Sequence, residues 1–473
     1  MKKEKGSITL FSLLALLLVT ATIFALLEGT RLQEMRRFAV LQTESALESV
    51  FANYNTCLWE NYRLLGADSS VMQDILEKSA SGRVGGGVNL LRLLPETVQV
   101  NAYTCITDGS GSAYMASVAS YMRENFIYEA AKEVYSQYQA IKEIFENSSM
   151  DTKHITDALE ELEKSGEQQI EGKVLRKSQN VTEILKTAKY WMEIGVIDLF
   201  VKNIEELSQN KGNFENCLLE RKLEQGENSF EYTNTWIERI LFQQYLQTYM
   251  SSYVDQKENR VLSYELEYLI GKKESDIENL KITITKLLTM REVINYLYLL
   301  SDTAKVAQAE SMAILLVGAT GNGILVKTVE LGLLAAWAFG ESVLDVRALL
   351  AGKKITLLKN DKTWNLELES LGELSNKEWM AKDVELGLGY EEYLGILLLF
   401  ENDTTITMHS MTIQEMTIRQ CEENPVFCMD SLITNAKVQV RYSYKEVFPF
   451  LSVIHAERRW KYEILTDAAY GYY

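Results

Sequence analysis

Three kinds of residue pattern in this 473-residue chain bear on chemistry. Paired carboxylates come first: Glu265 with Glu267, and Glu391 with Glu392, stand close enough for one member to hold a proton while the other accepts one, as general acid and base catalysis requires. With 66 acidic residues in the chain such pairs arise without catalytic purpose, and solvated faces are their default reading. The second pattern is the run Gly318-Ala319-Thr320-Gly321-Asn322-Gly323, which has the glycines of a phosphate-binding loop. Ile324 follows where such a loop needs lysine and then serine or threonine, so the run reads as a turn between helices. The third is the set of five cysteines (Cys57, Cys105, Cys217, Cys421, Cys428) and three histidines (His154, His409, His455), which form no CxxC pair and no zinc-ligand spacing. Cys421 and Cys428 flank Pro425 closely enough for a disulfide if that loop folds back, with free thiols as the other reading. No GxSxG or HExxH motif occurs, so the expectation is a protein without catalytic residues, metal or cofactor.

The elements that carry these residues follow from composition. Apolar residues make up 47% of the chain and only three prolines interrupt it (Pro95, Pro425, Pro449), which favours long helices. The fold class expected is mainly α with a small antiparallel β component, α+β, behind a long N-terminal transmembrane helix that continues into a helical ectodomain. A formal charge of −18 argues against a nucleic-acid partner, because phosphate backbones are held by clustered lysine and arginine.

The N-terminus is the most informative segment. From Ser7 to Leu27 the sequence SITLFSLLALLLVTATIFALL has no charge over 21 residues. At a rise of about 1.5 Å per residue it spans a hydrocarbon core of about 30 Å. Its lipid-facing residues are Ile8, Leu10, Phe11, Leu13, Leu14, Leu16, Leu17, Leu18, Val19, Ile23, Phe24, Leu26 and Leu27. Lys2, Lys3 and Lys5 precede it, which predicts a cytoplasmic N-terminus and an extracellular remainder at the cell membrane. A cleaved secretory signal is the rival, but Val19-Thr20-Ala21 matches the cleavage site poorly and the apolar run continues past it. Apolar residues then recur at Val40, Leu47, Val50, Phe51, Tyr54, Leu58, Tyr62 and Leu65, so the helix is predicted to run on to Leu65 as a rod of roughly 90 Å, one stripe of its far half lying on the soluble body.

The start Lys5-Gly6-Ser7-Ile8-Thr9-Leu10-Phe11, a basic residue, a glycine, then a long apolar helix, resembles a type IV pilin or tight-adherence (Tad) pseudopilin leader. That resemblance implies cleavage by a prepilin peptidase between Gly6 and Ser7. At the fifth mature position the pattern carries glutamate, whereas this chain has Phe11. A carboxylate there is held to neutralise a neighbouring subunit's N-terminal ammonium in an apolar filament core, so its absence argues against a major filament subunit, whereas a tip or initiating subunit would tolerate it. Further on, YELEYLIGKKESDIENLKITITKLLTMREVINYLYLL (Tyr264 to Leu300) and LLAAWAFGESVLDVRALLAGKKITLLK (Leu333 to Lys359) resemble an uncharacterised family of large membrane-anchored proteins found beside tight-adherence pilus genes in Gram-positive bacteria.

Along the remainder, Ser81 to Asn89 reads as a loop, Thr97 to Thr107 as a strand, Asp108 to Gly111 as a turn, and Ser112 to Asn147 as an amphipathic helix. Ser148 to Gln179 reads as an exposed edge, with helices at Asn180 to Gln209 and Asn228 to Lys257. Ser275-Asp276-Ile277-Glu278 has the form of a capping box opening a helix to about Leu300, and Ser301 or Asp302 caps the next. Lys354 to Glu369 and Lys437 to Tyr444 alternate as strands, joined in a sheet by Arg459 to Leu465. Met312 to Phe339 is apolar enough for a second span, but Lys327, Glu330, Glu341 and Asp345 share one stripe, which predicts a helical hairpin in the soluble core. The terminal Tyr470, Tyr472 and Tyr473 are expected either to fray or to dock on a partner.

The domain organisation expected is a leader at 1–6, a transmembrane helix at 7–27, its extension at 28–66, a helical ectodomain part at 67–260 and an α+β part at 261–473. The function expected is a membrane-anchored, pilin-like accessory or tip component of a Tad-type pilus or secretion apparatus, partnered by the membrane and by other pilin-like subunits or pilus assembly proteins. A surface adhesin or sensor on an uncleaved tether is the alternative.

Overall fold

The computed structural model describes residues 4–80, 93–125, 196–201, 203–226, 235–422, 424–444 and 462–472. The expected loop at Ser81 to Asn89, the helix beyond Asn125, the edge at Ser148 to Gln179 and the approach to the last strand at Arg459 lie outside them. The fold is α+β, as expected, and it divides into two compact units. The division is not sequential: unit 1 takes residues 1–121, 221–234 and 427–473, and unit 2 takes 122–220 and 235–426. The boundary expected near residue 260 therefore falls inside unit 2.

Unit 1 holds α1 (Glu4–Phe51), α2 (Thr56–Tyr62), β1 (Ala67–Asp68), α3 (Ser69–Ala80), β2 (Leu93–Cys105), the start of α4 (Asp108–Asn125), β3 (Leu432–Tyr444) and β4 (Tyr462–Gly471). The predicted turn before α4 is present as three left-handed residues, Gly109, Ser110 and Gly111. The sheet is antiparallel, with β3 central, β2 along one edge, and β4 and the short β1 along the other. As the alternation predicted, Val438, Val440, Tyr442 and Tyr444 are buried on one face of β3. They meet Met35, Ala39, Ala46, Leu47, Val50 and Phe51 of α1. Thr43, buried in the middle of this interface, shares hydrogen bonds with Thr466 Oγ1 at 2.7 Å and Tyr442 OH at 3.2 Å.

Helix α1 stops at Phe51, so the predicted rod to Leu65 is too long. The chain instead turns through Ala52 to Asn55, where Tyr54 bridges to Ala67 and the Asn55 amide donates to Gly66 O. Asn55 Oδ1 then accepts the Leu58 amide at 2.7 Å and restarts the chain as α2. Because α2 also buries Leu58 and Tyr62, the apolar period survives a break in the helix itself. The terminal tyrosines dock within the chain: Tyr472 donates to Phe51 O at 2.6 Å, and Tyr470 and Tyr472 both pack their rings on Phe51. Tyr473 lies outside the described residues.

Unit 2 comprises α5 (Val196–Phe200), α6 (Trp236–Tyr249), α7 (Glu265–Gly271), α8 (Asp276–Ser301), α9 (Thr303–Val317), α10 (Gly323–Leu350), α11 (Tyr390–Leu399) and α12 (Asp403–Cys421). Its centre is α10, packed against α8 and folded back on α9 in the expected hairpin. The helix expected to reach Gln209 ends at Phe200, and that expected from Asn228 to Lys257 is the shorter α6. Asp302 caps α9, accepting the Ala304 and Lys305 amides.

Two further expectations are corrected. Ser275 is the N-cap of α8, as expected, but its side chain makes no capping bond; the neighbouring Asp276 carboxylate turns back onto the Ser263 and Tyr264 amides and the Ser208 hydroxyl. Lys354 to Glu369 is not a strand. Ile355 makes one isolated bridge to Leu388, and the segment wraps over α10, burying Leu366 and Leu368 ahead of a 3-10 turn at Leu368–Ser375. Its alternating apolar residues cover a helix: a side chain at Gly340 would meet Leu366 Cδ2 at 2.5 Å.

Candidate functional site

Helix α1 changes character at Glu28. Over residues 8–27 every predicted anchor side chain is exposed, from 39% at Phe24 to 73% at Phe11. That is an apolar cylinder of about 30 Å, the thickness of a hydrocarbon core. The Gly6–Ser7 bond lies within the helix as described. From Glu28 onward the helix meets the rest of unit 1. Glu28 itself is buried and paired with Arg31, whose Nη2 donates at 2.6 Å, and the Arg31 guanidinium lies over the Tyr444 ring. The first charge past the apolar segment is thus neutralised within the helix that carries it. The segment is a candidate membrane span.

The polar stripe read on α10 resolves into two parts. Lys327 and Glu330 pair with each other, Nζ to Oε1 at 2.7 Å. Glu341 and Asp345, one turn apart, enter a fully buried ionic cluster with partners that no local pattern announces. Arg291 of α8 donates to Asp345 Oδ2 through Nε at 3.0 Å and Nη2 at 2.8 Å, and through Nη1 to Leu357 O and Tyr393 OH. Lys359 donates to Asp345 Oδ1 at 2.6 Å, Glu341 Oε1 at 2.7 Å and Thr363 O at 3.1 Å, which uses its three N–H groups. Glu341 also accepts the Asn365 and Leu366 amides. Two cations face two anions with no exposure to water at Arg291, Glu341 or Asp345. Burial opposes the Asp345 charge, but Arg291 and Lys359 outweigh it and hold the carboxyl below its ordinary range. A cleft of about 270 Å³ lined by Ile294, Leu297, Tyr298, Ser301, Leu358 and Lys359 lies alongside, yet the Lys359 ammonium is already committed.

Arg347, on the same helix, has no carboxylate partner among the described residues. Its guanidinium donates to the carbonyls of Leu199, Leu374, Asn376 and Trp379, and burial lowers its pKa to about 10. It ties the end of α5 and the 374–379 segment to α10.

Of the acid pairs, Glu265 and Glu267 sit on α7 and are fully buried. Glu265 Oε2 accepts the Ser251 amide, and Glu267 Oε1 accepts the Tyr253 amide and the Tyr390 hydroxyl, each at 2.8 Å. Glu267 Oε2 has no hydrogen-bond partner among the described residues. Burial, opposed only in part by those donors, pushes the Glu267 carboxyl up to about 7, and burial likewise raises Asp276. Glu391 accepts the Ser252 hydroxyl, and Glu392 returns to the Gly389 amide at the start of α11. The four carboxylates therefore fasten the 251–253 loop and a helix start. Solvated faces was the wrong reading of Glu265 and Glu267.

None of the five cysteines is in a disulfide: Cys57, Cys105 and Cys217 are buried, Cys428 is partly covered and Cys421 is exposed, so the bridge considered between the last two is absent from this structure. Burial and the nearby Asp108 raise the Cys105 thiol to about 12, which makes it unreactive. His409, half-buried, shares a hydrogen bond with the Tyr268 hydroxyl at 3.0 Å. No three histidine, cysteine or acidic side chains come together to hold a metal among the described residues.

Fold and site together define an α+β protein whose long first helix is a candidate membrane anchor and whose buried charges serve packing. The chain belongs to a family of unknown function, DUF5702, which matches residues 175–444, more than half of its length. No curated protein and no solved structure matches it.

Proposed function

We propose that this protein is a non-catalytic, single-pass membrane component with its body outside the cell, acting as a pilin-like accessory or tip subunit of a Tad-type pilus or related secretion apparatus. The observation that carries this reading is the continuity of α1. One helix without a break supplies both a bare apolar segment at residues 8–27 and the stripe that packs on the sheet. A helix that serves lipid at one end and a folded body at the other is what an anchored assembly subunit requires. Lys2, Lys3 and Lys5 favour the N-terminus inside. Phe11, in place of a carboxylate, favours a position that receives no neighbour's ammonium.

Mass spectrometry of the mature N-terminus, from cells with and without a prepilin peptidase, tests the pilin reading. Ser7 is the expected first residue only where the peptidase is present, and an intact leader in both strains removes it. Protease added to whole cells tests the orientation separately, with degradation of the body as the expected result.

A further inference from the structure

Among the described residues beyond α1, the tip of the α9–α10 hairpin is an apolar surface that core packing does not explain. From Met312 to Val326 the sequence MAILLVGATGNGILV has no charge, between Glu310 and Lys327. The deeper part of α10, from Val329 to Leu349, is almost wholly buried, whereas at the tip Leu315 is 71% and Ile324 81% exposed, with Ile314 also bare. Such side chains in water are costly, and their clustering at the end of a hairpin calls for a cover.

Several backbone amides at the tip are paired within it. The Gly321 amide donates to Gly318 O, Asn322 Oδ1 accepts the Ile324 and Leu325 amides, and the Val326 amide donates to Asn322 O. The bordering hydroxyls are spent too: Ser311 donates to Ala307 O and Thr328 to Ile324 O. A turn that leaves hydrocarbon and pairs its own amides is suited to lipid, where no solvent can satisfy them. A protein partner would be read through polar groups at the rim, and the tip offers almost none. From Met312 to Val317 the helix rises about 9 Å, the depth of one headgroup and acyl boundary rather than of a bilayer.

We propose that residues 312–326 dip into the bilayer that holds α1, giving the body a shallow second membrane contact. The proposal rests on the tether reading for the presence of that bilayer.

The test uses the full-length chain in vesicles of phosphatidylcholine and phosphatidylglycerol, with Cys421→Ser and Cys428→Ser to remove the accessible thiols. Spin labels are placed singly at Leu315→Cys, Ile324→Cys, Leu17→Cys and Leu386→Cys, the last being 96% exposed on the same unit. Collision with lipid-soluble oxygen is compared with collision with a water-soluble nickel chelate. The expected result is a several-fold higher oxygen-to-nickel ratio at 315 and 324 than at 386. A ratio at 315 and 324 equal to that at 386 overturns the proposal. So does shielding from both reagents, which would mean that protein covers the tip. A label at 17 in lipid with 315 in water removes the second contact alone, whereas a label at 17 in water removes the tether and the proposal together.

Discussion

Helices α1 and α10 are, among the described residues, the two segments long and apolar enough to cross a bilayer, yet their surroundings are opposite. None of the most apolar stretch of α1 is buried, whereas 61% of that of α10 is. Composition does not separate them as well as the placement of charge does. Helix α1 keeps its 8–27 segment free of ionisable groups, while α10 carries Glu341, Asp345 and Arg347 where the protein supplies Lys359, Arg291 and four carbonyls. An apolar helix with charges that have partners is a core helix; one without charges needs another solvent.

The largest expected effect breaks the cluster that keeps α10 inside. Asp345→Ala leaves the buried Arg291 without its carboxylate and Lys359 with Glu341 alone, and a loss of about 3–5 kcal/mol is expected in urea unfolding. Removing a buried countercharge costs more than the pair itself contributes, so a loss under about 1 kcal/mol would mean that water reaches the cluster. The same kind of change on α1 should leave the fold alone. Leu17→Lys places a charge mid-span and is expected to cost about 3 kcal/mol of insertion, read as the fraction retained in carbonate-washed membranes, with the unfolding midpoint unchanged.

Glu267 sharpens the contrast through pH. Its carboxyl is raised to about 7 in the fold, so the folded state binds the proton more tightly than the unfolded one. Stability is therefore full below the ordinary carboxylate value and falls as pH rises towards 7. Glu267→Gln, which keeps the Tyr390 and Tyr253 bonds without a charge, is expected to be the more stable protein at pH 8, by on the order of 3 kcal/mol. The gap should close by pH 4, in unfolding curves measured at both ends. The smallest effect is at the hairpin: Asn322→Ala removes the two amide bonds that start α10 and should cost about 1 kcal/mol of thermal stability.

Local pattern made some of this legible. The uncharged run at 7–27, the Gly318–Gly323 turn, the Asp302 cap and the alternation of β3 are each written within a few neighbouring residues. The face of α1 that meets the sheet was only half visible, because Ala39, Thr43 and Ala46 are small and carry little apolar signal, while Val40, which carries more, is exposed. Lys354 to Glu369 misled for a related reason: alternation marks one-sided burial, and a helix surface provides that as well as a sheet does. The ionic cluster could not be read at all. Arg291 meets Asp345 across 54 residues, and only the hydrogen bonds of the folded chain reveal that Lys359 points inward. The stripe on α10 was its one visible trace.

The sheet under α1 carries a consequence for how the chain is made. Thr43 finds Thr466, its partner, 423 residues later. At ordinary rates of synthesis that is a delay on the order of tens of seconds, during which the packing face of α1 lacks the strands β3 and β4 that close over it. A nascent chain halted before β3 would leave Met35, Leu47 and Val50 without the cover that the finished sheet gives them.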